Sequence, residues 1–132
     1  MKRTTLLLML AVVLLSCVTA YAHHSFASTY DETKKITVEG KLVQFMFRNP
    51  HSFVHVLAPG EDGTMQRWAI EWGGAGQLGG QGVTRETLKP GDKVVITGNP
   101  GRNPVDHRVR MLTLRRPSDG FGWGDREGET FD

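Results

Sequence analysis

From residue 36 onward the chain is built of short runs of alternating apolar and polar residues, each stopped by glycine or proline, and this pattern limits it to a small all-β fold. Ile36, Val38 and Leu42 share one parity while Glu39 and Lys41 share the other, which predicts a half-buried strand over 36–48. Gly40 marks a bend or bulge in it, and the parity blurs at Val43, Phe45, Met46 and Phe47, as in a long strand that coils round a corner. Asn49 and Pro50 break the run. Ser52, Val54 and Val56 then alternate with Phe53, His55 and Leu57 in a second strand. Residues 59–63 form a hairpin-type loop, and the third strand over 66–72 puts Trp68, Ile70 and Trp72 on one face. A fourth strand over 94–97 lies between the turns at 89–92 and 98–101, and a fifth runs over 108–115.

Between strands three and four, residues 73–82 carry six glycines, and Gly74, Gly76 and Gly79 have the spacing of a dinucleotide fingerprint. That fingerprint needs a parallel sheet with an acidic residue ending the next strand, in a domain larger than this chain allows, so the segment reads as a flexible surface loop. Residues 84–88 read as a single helical turn with Thr84 as N-cap and Glu86 well placed against the dipole. Three strands, a short helical connection and two more strands give the order of a five-stranded OB-like barrel, with an open sandwich as the competing fold.

The N-terminus reads as an export signal. Lys2 and Arg3 precede an apolar run over 6–15, and Ala20 and Ala22 supply the small residues that a signal peptidase reads. Ten apolar residues are too few for a spanning helix, which needs about 20. Cleavage after Ala22 is one processing route. The other is a lipoprotein box at 14–17, in which Cys17 is acylated and becomes the first residue, although Leu15 is bulky for such a box. The first route gives a signal peptide over 1–22, an N-terminal arm over 23–35, a barrel domain over 36–116 and a glycine-rich acidic tail over 117–132. That tail is either disordered or folds back to screen Arg108, Arg110, Arg115 and Arg116. The product is expected to be periplasmic or secreted, with no membrane span.

Cleavage also changes the charge. Two of the 16 Lys and Arg lie in the signal and all 14 Asp and Glu lie after it, so the mature chain is balanced at 14 of each sign. Nucleic-acid binding normally shows a basic excess, so no nucleic-acid partner is expected. The single cysteine, Cys17, leaves with the signal, so no disulfide is expected in a domain bound for an oxidising compartment.

Several segments taken together resemble a family. The start at 22–26 (Ala-His-His-Ser-Phe), the Asn49-Pro50-His51 turn, the strand at 68–71 (Trp-Ala-Ile-Glu) and the Leu88-Lys89-Pro90-Gly91-Asp92 turn look like a domain-of-unknown-function family of small bacterial exported proteins. The resemblance covers about residues 22–114 and implies an OB-like periplasmic domain, with no activity to carry over. The glycine run at 73–82 departs from the family pattern, where a polar turn and helix are usual.

A chain that begins at His23 has a free amine and an imidazole on one residue, and a second imidazole completes the T-shaped nitrogen set called a histidine brace. Such a tetragonal site suits Cu(II). The amine, with an ordinary pKa of about 7.7 to 8.0, loses its proton readily to a strong Lewis acid. His51 is the candidate second imidazole, and His24 either ligates or points away. His55 shares a face with His51, but four residues of strand separate their backbones by roughly 13 Å, so the two do not share one ion. Met46, Met65 and Met111 are read as core filling rather than axial ligands. The plainer reading of the same residues has no metal: two histidines tolerated after a cleavage site, and a third bonded to its turn.

The competing functional class is a binding module that takes a saccharide or a periplasmic protein on the face of strands two and three, with Phe53, His55, Arg67 and Trp68 as candidates, although Trp68 and Trp72 at this spacing are more often core. No catalytic constellation is present: there is no Gly-x-Ser-x-Gly, no His-Glu-x-x-His and no mature cysteine, so an enzyme is not expected. Glu71, between Trp68 and Trp72, is the acid with the best placement, and its plain reading is a salt-bridged strand residue. His107, in an Asp-His-Arg loop, reads as surface.

Overall fold

The structure is a computed structural model and describes residues 1, 4, 5, 7, 9 and 26–132. Cys17, the cleavage site at Ala22, His23 and His24 lie outside the described residues.

The strands are β1 (Ile36–Met46), β2 (Ser52–Pro59), β3 (Met65–Trp72), β4 (Lys93–Pro100), β5 (Arg108–Arg116) and β6 (Phe121–Trp123). A short helix α1 (Ala75–Gly79) follows β3, and a single 3-10 turn (Pro104–Asp106) precedes β5. The sheet runs β3-β2-β1-β4-β5-β6, and a further parallel pairing of β3 with β5 closes five of the strands into a barrel. The expected all-β barrel is therefore the fold, with its one short helix between strands three and four.

Closure depends on β1 serving two neighbours. Its first half pairs with β4 from Ile36 to Lys41, and its second half pairs with β2 from Lys41 to Met46. The strand bends where it changes partner. Gly40 sits at that place because any Cβ there would collide with the Leu57 carbonyl. The register then slips between Leu42 and Gln44, a bulge that explains the blurred parity beyond Leu42 and turns Phe45 inward against Trp72.

Two segments differ from the sequence reading. The glycine run is not a loose loop: Leu78 is fully buried and anchors α1, while Arg48 and Asn49 cap the helix from across the chain. The Ala75 amide donates to the Arg48 carbonyl at 3.0 Å, and the Gly76 amide donates to Asn49 Oδ1 at 3.1 Å. Gly74 lies against the Pro50 carbonyl with no room for a side chain, so the glycine serves close approach. Residues 84–88 form a turn and not a helix. The Thr84 amide donates to Thr87 Oγ1 at 2.8 Å, and Pro90 follows too soon for a helix to propagate.

The tail is packed. β6 pairs with β5, Trp123 is buried edge-on to Trp72 at 5.2 Å, and its indole N–H donates to Gln81 Oε1 at 2.8 Å. Arg115 meets Asp125 at 3.1 Å and Arg116 meets Asp119 at 2.8 Å, so the acidic tail screens basic residues of β5. Among the described residues no helix is long and apolar enough to cross a membrane.

Candidate functional site

Glu71 is the centre of a polar cluster on the barrel. Its parity on β3 points it to the outer face, yet only 9% of the residue is exposed, because three neighbours cover it. His51 Nδ1 lies 2.6 Å from Glu71 Oε1. The Tyr30 hydroxyl donates to Oε2, and an Arg108 terminal nitrogen donates to the same oxygen at 3.3 Å. A carboxylate already receiving a phenol and a guanidinium acts as an acceptor toward His51 as well, so the histidine donates from Nδ1 and its Nε2 is the basic nitrogen. Burial, and then the hydrogen bond to Glu71, push the Tyr30 phenol well above its ordinary pKa, so it remains a donor.

Each partner comes from a different part of the chain. His51 is carried by the Asn49–Pro50 turn into β2, and Tyr30 ends the helical turn at 26–29 with a bridge to Gly101. Arg108 opens β5 and is brought beside β3 by the parallel closure, in which Ala69 faces Arg108 and Glu71 faces Arg110. Barrel closure thus assembles the cluster.

An aromatic wall stands against it. The Phe26 ring stacks on His51 at 5.4 Å between centroids, and Phe131 meets His51 edge-on at 6.3 Å. Arg110 lies over Phe26 at 4.1 Å and over Phe131 at 5.3 Å, donates to the Phe131 carbonyl at 3.1 Å, and pairs with Glu32 at 2.9 Å. Arm and tail therefore meet at His51, whose side chain keeps 28% of its surface exposed. Nε2 of His51 has no hydrogen-bond partner among the described residues.

Of the expected metal ligands, the structure describes His51 alone, and among the described residues no three His, Cys, Asp or Glu side chains converge as a metal site. Met111 fills the core, whereas Met65 is exposed at the end of the β2–β3 hairpin. Of the expected module residues, Phe53, His55 and Arg67 share the outer face. Arg67 Nε donates to His55 Nδ1 at 2.9 Å and its terminal nitrogen to Gln44 at 3.0 Å, while Arg48 covers Phe53 at 5.5 Å. Trp68 is not with them. It neighbours Arg67 on a strand, so it points the opposite way, into the core, and meets His107 edge-on at 5.1 Å. His107 is accordingly half-buried rather than a plain surface residue.

Tyr30 and Arg108 were not candidates from sequence. The contacts to Glu71 span 41 and 37 residues, and the usable signal was an isolated tyrosine in a polar arm together with the acid already singled out.

Fold and cluster define the class: a closed OB-like barrel carrying a carboxylate-held histidine on its outer surface. The chain belongs to a family of unknown function, DUF6152, whose model matches residues 11–110. The match takes in His23, His24, Tyr30, His51, Glu71 and Arg108, and leaves β6 and Phe131 outside. No match was found among curated proteins or among solved structures.

Proposed function

We propose that the chain is exported, cut after Ala22, and binds Cu(II) through the amine and ring of His23 together with Nε2 of His51, with or without His24 as a further ligand. The observation that carries this reading is the 2.6 Å contact of His51 Nδ1 with Glu71. Metal-bound histidines commonly donate their other ring N–H to a carboxylate, which fixes the ring and makes the ligating nitrogen more basic. Phe26 supports the same reading, because it stacks on His51 and three residues of extended chain reach about 10 Å, enough to bring an amine at His23 to the ring. The bound amine would be deprotonated, so copper uptake should release protons and weaken as pH falls.

The test begins with the intact mass of the native mature protein, followed by Cu(II) titration with EPR. A His23 terminus with tight, nitrogen-coordinated copper is expected. His51→Ala should abolish that signal, and Glu71→Gln should weaken binding by about 10- to 100-fold while keeping the ligand set. A mature terminus at Cys17, or copper binding unchanged by His51→Ala, sinks the reading.

A second reading rests on the network of Arg67, His55 and Gln44 beside Phe53, an outer face with aromatic and donor groups suited to a saccharide or a periplasmic protein. It expects binding on a saccharide panel that is lost in Phe53→Ala and Arg67→Ala with the fold intact.

A further inference from the structure

A cavity of about 500 Å³ opens at the end of the barrel, between the β2–β3 loop, the β4–β5 loop and the residues leading into β1. That volume is in the range of small-molecule sites, about 300 to 1,000 Å³. Trp68, Ile36, Pro100 and the exposed Val105 supply its apolar lining.

Charged groups line it unequally. Asp31 is occupied by Thr33 at 2.6 Å and Lys34 at 3.4 Å, and Asp62 by the Thr64 amide at 2.9 Å, so both acids are already satisfied. Glu61 sits exposed on the rim. Arg102 is different. Its amide donates to the Thr29 carbonyl at 2.9 Å and its Nε to the Ala27 carbonyl at 2.7 Å, which fixes the side chain while its two terminal nitrogens have no partner among the described residues. Arg108 also lines the cavity, but its guanidinium is taken up by Glu71 and lies over the Tyr30 ring. One held guanidinium with free donors thus borders an apolar slot.

The floor is built under strain. His107 has φ 44°, in the left-handed region that non-glycine residues seldom adopt, and this conformation presents its carbonyl to the Ala69 amide at 2.9 Å while its ring meets Trp68. Sparsely populated backbone of this kind concentrates at ligand sites.

We infer that this cavity binds a small organic acid with an aromatic body, the carboxylate taken by the terminal nitrogens of Arg102 and the ring laid against Trp68 and Pro100. A guanidinium offers a carboxylate two parallel hydrogen bonds, and the Trp68 indole favours a ring as its neighbour. Arg108 links this wall to Glu71, but the proposed contacts involve neither His51 nor any copper, so a titration of the copper-free protein tests the site separately from the metal reading.

The experiment is a titration of the ¹⁵N-labelled mature protein with phenylacetate, and with phenylacetamide as its neutral counterpart. Phenylacetate should shift the Trp68 indole and Arg102 Nε signals and leave the Trp72 and Trp123 indoles in place. Phenylacetamide should bind more weakly by about tenfold or more, as should phenylacetate to Arg102→Gln, an exposed loop variant expected to fold. His107→Gly keeps the positive φ, removes the floor, and should also weaken binding. Equal affinity for acid and amide, no effect of Arg102→Gln, or no shift up to about 10 mM phenylacetate overturns the inference.

Discussion

His51 and His55 stand four residues apart on one outer face and reach across to β3 in the same way, yet they end in opposite chemical states. Ser52 faces Trp72 and His55 faces Ala69, so each histidine contacts the β3 residue two positions before the one directly opposite. For His51 that residue is Glu71, and the ring donates from Nδ1. For His55 it is Arg67, whose Nε donates to Nδ1, so the His55 proton sits on Nε2. Burial first, and then the charges of Arg67 and Arg48, hold the His55 pKa below its ordinary value. One substitution in the facing strand therefore separates a histidine with a basic Nε2 from one whose Nε2 is a donor.

The comparison can be broken hardest at Glu71. Glu71→Ala strands a guanidinium and a phenol that were packed around the acid, and should cost about 3 kcal/mol in urea unfolding. Tyr30→Phe removes one donor and keeps the ring, and should cost about 1.5 to 2 kcal/mol while leaving His51 in contact with Glu71. A smaller effect concerns pH. The His55 pKa is lowered on folding, so as pH falls below 6.5 the unfolded chain takes up a proton that the folded chain refuses, and stability declines until pH reaches the lower folded value. Urea midpoints at pH 7 and pH 5 should therefore draw apart less in His55→Gln than in the parent, and NMR titration should find the His55 pKa raised in Arg67→Gln. At pH 7 His55→Gln itself should change stability by less than about 1 kcal/mol, since His55 is half-buried on the outer face and glutamine keeps an acceptor for Arg67.

Parity carried most of the fold into view. Ser52, Val54 and Val56 against Phe53, His55 and Leu57 is a pattern that local sequence determines, and it sets which side chains line the barrel. The same rule, applied across adjacent positions, separates Trp68 from Arg67, a distinction that grouping residues by chemistry alone overlooks. Placement of the helix failed for a physical reason. α1 has two glycines in five residues and no side-chain cap of its own, and it exists because Leu78 is buried and Arg48 and Asn49 supply acceptors from another turn. β6 is three residues long and flanked by glycine, too short for alternation to register. His51 and Glu71 were each legible as candidates, but their contact depends on the register of β2 against β3. Arg108 joins them only through a parallel pairing that no local pattern encodes.

The meeting of Phe26 and Phe131, with ring centroids 5.9 Å apart, means that the barrel's two chain ends are neighbours in space. Such an arrangement lends itself to circular permutation: the ends can be joined by a short linker and the chain reopened in the exposed turn at 117–120. The rearranged protein would keep every imidazole while turning the α-amine of His23 into an ordinary peptide nitrogen. Ring and amine, which the proposed cleavage after Ala22 would couple in a single residue, would thereby become separately adjustable.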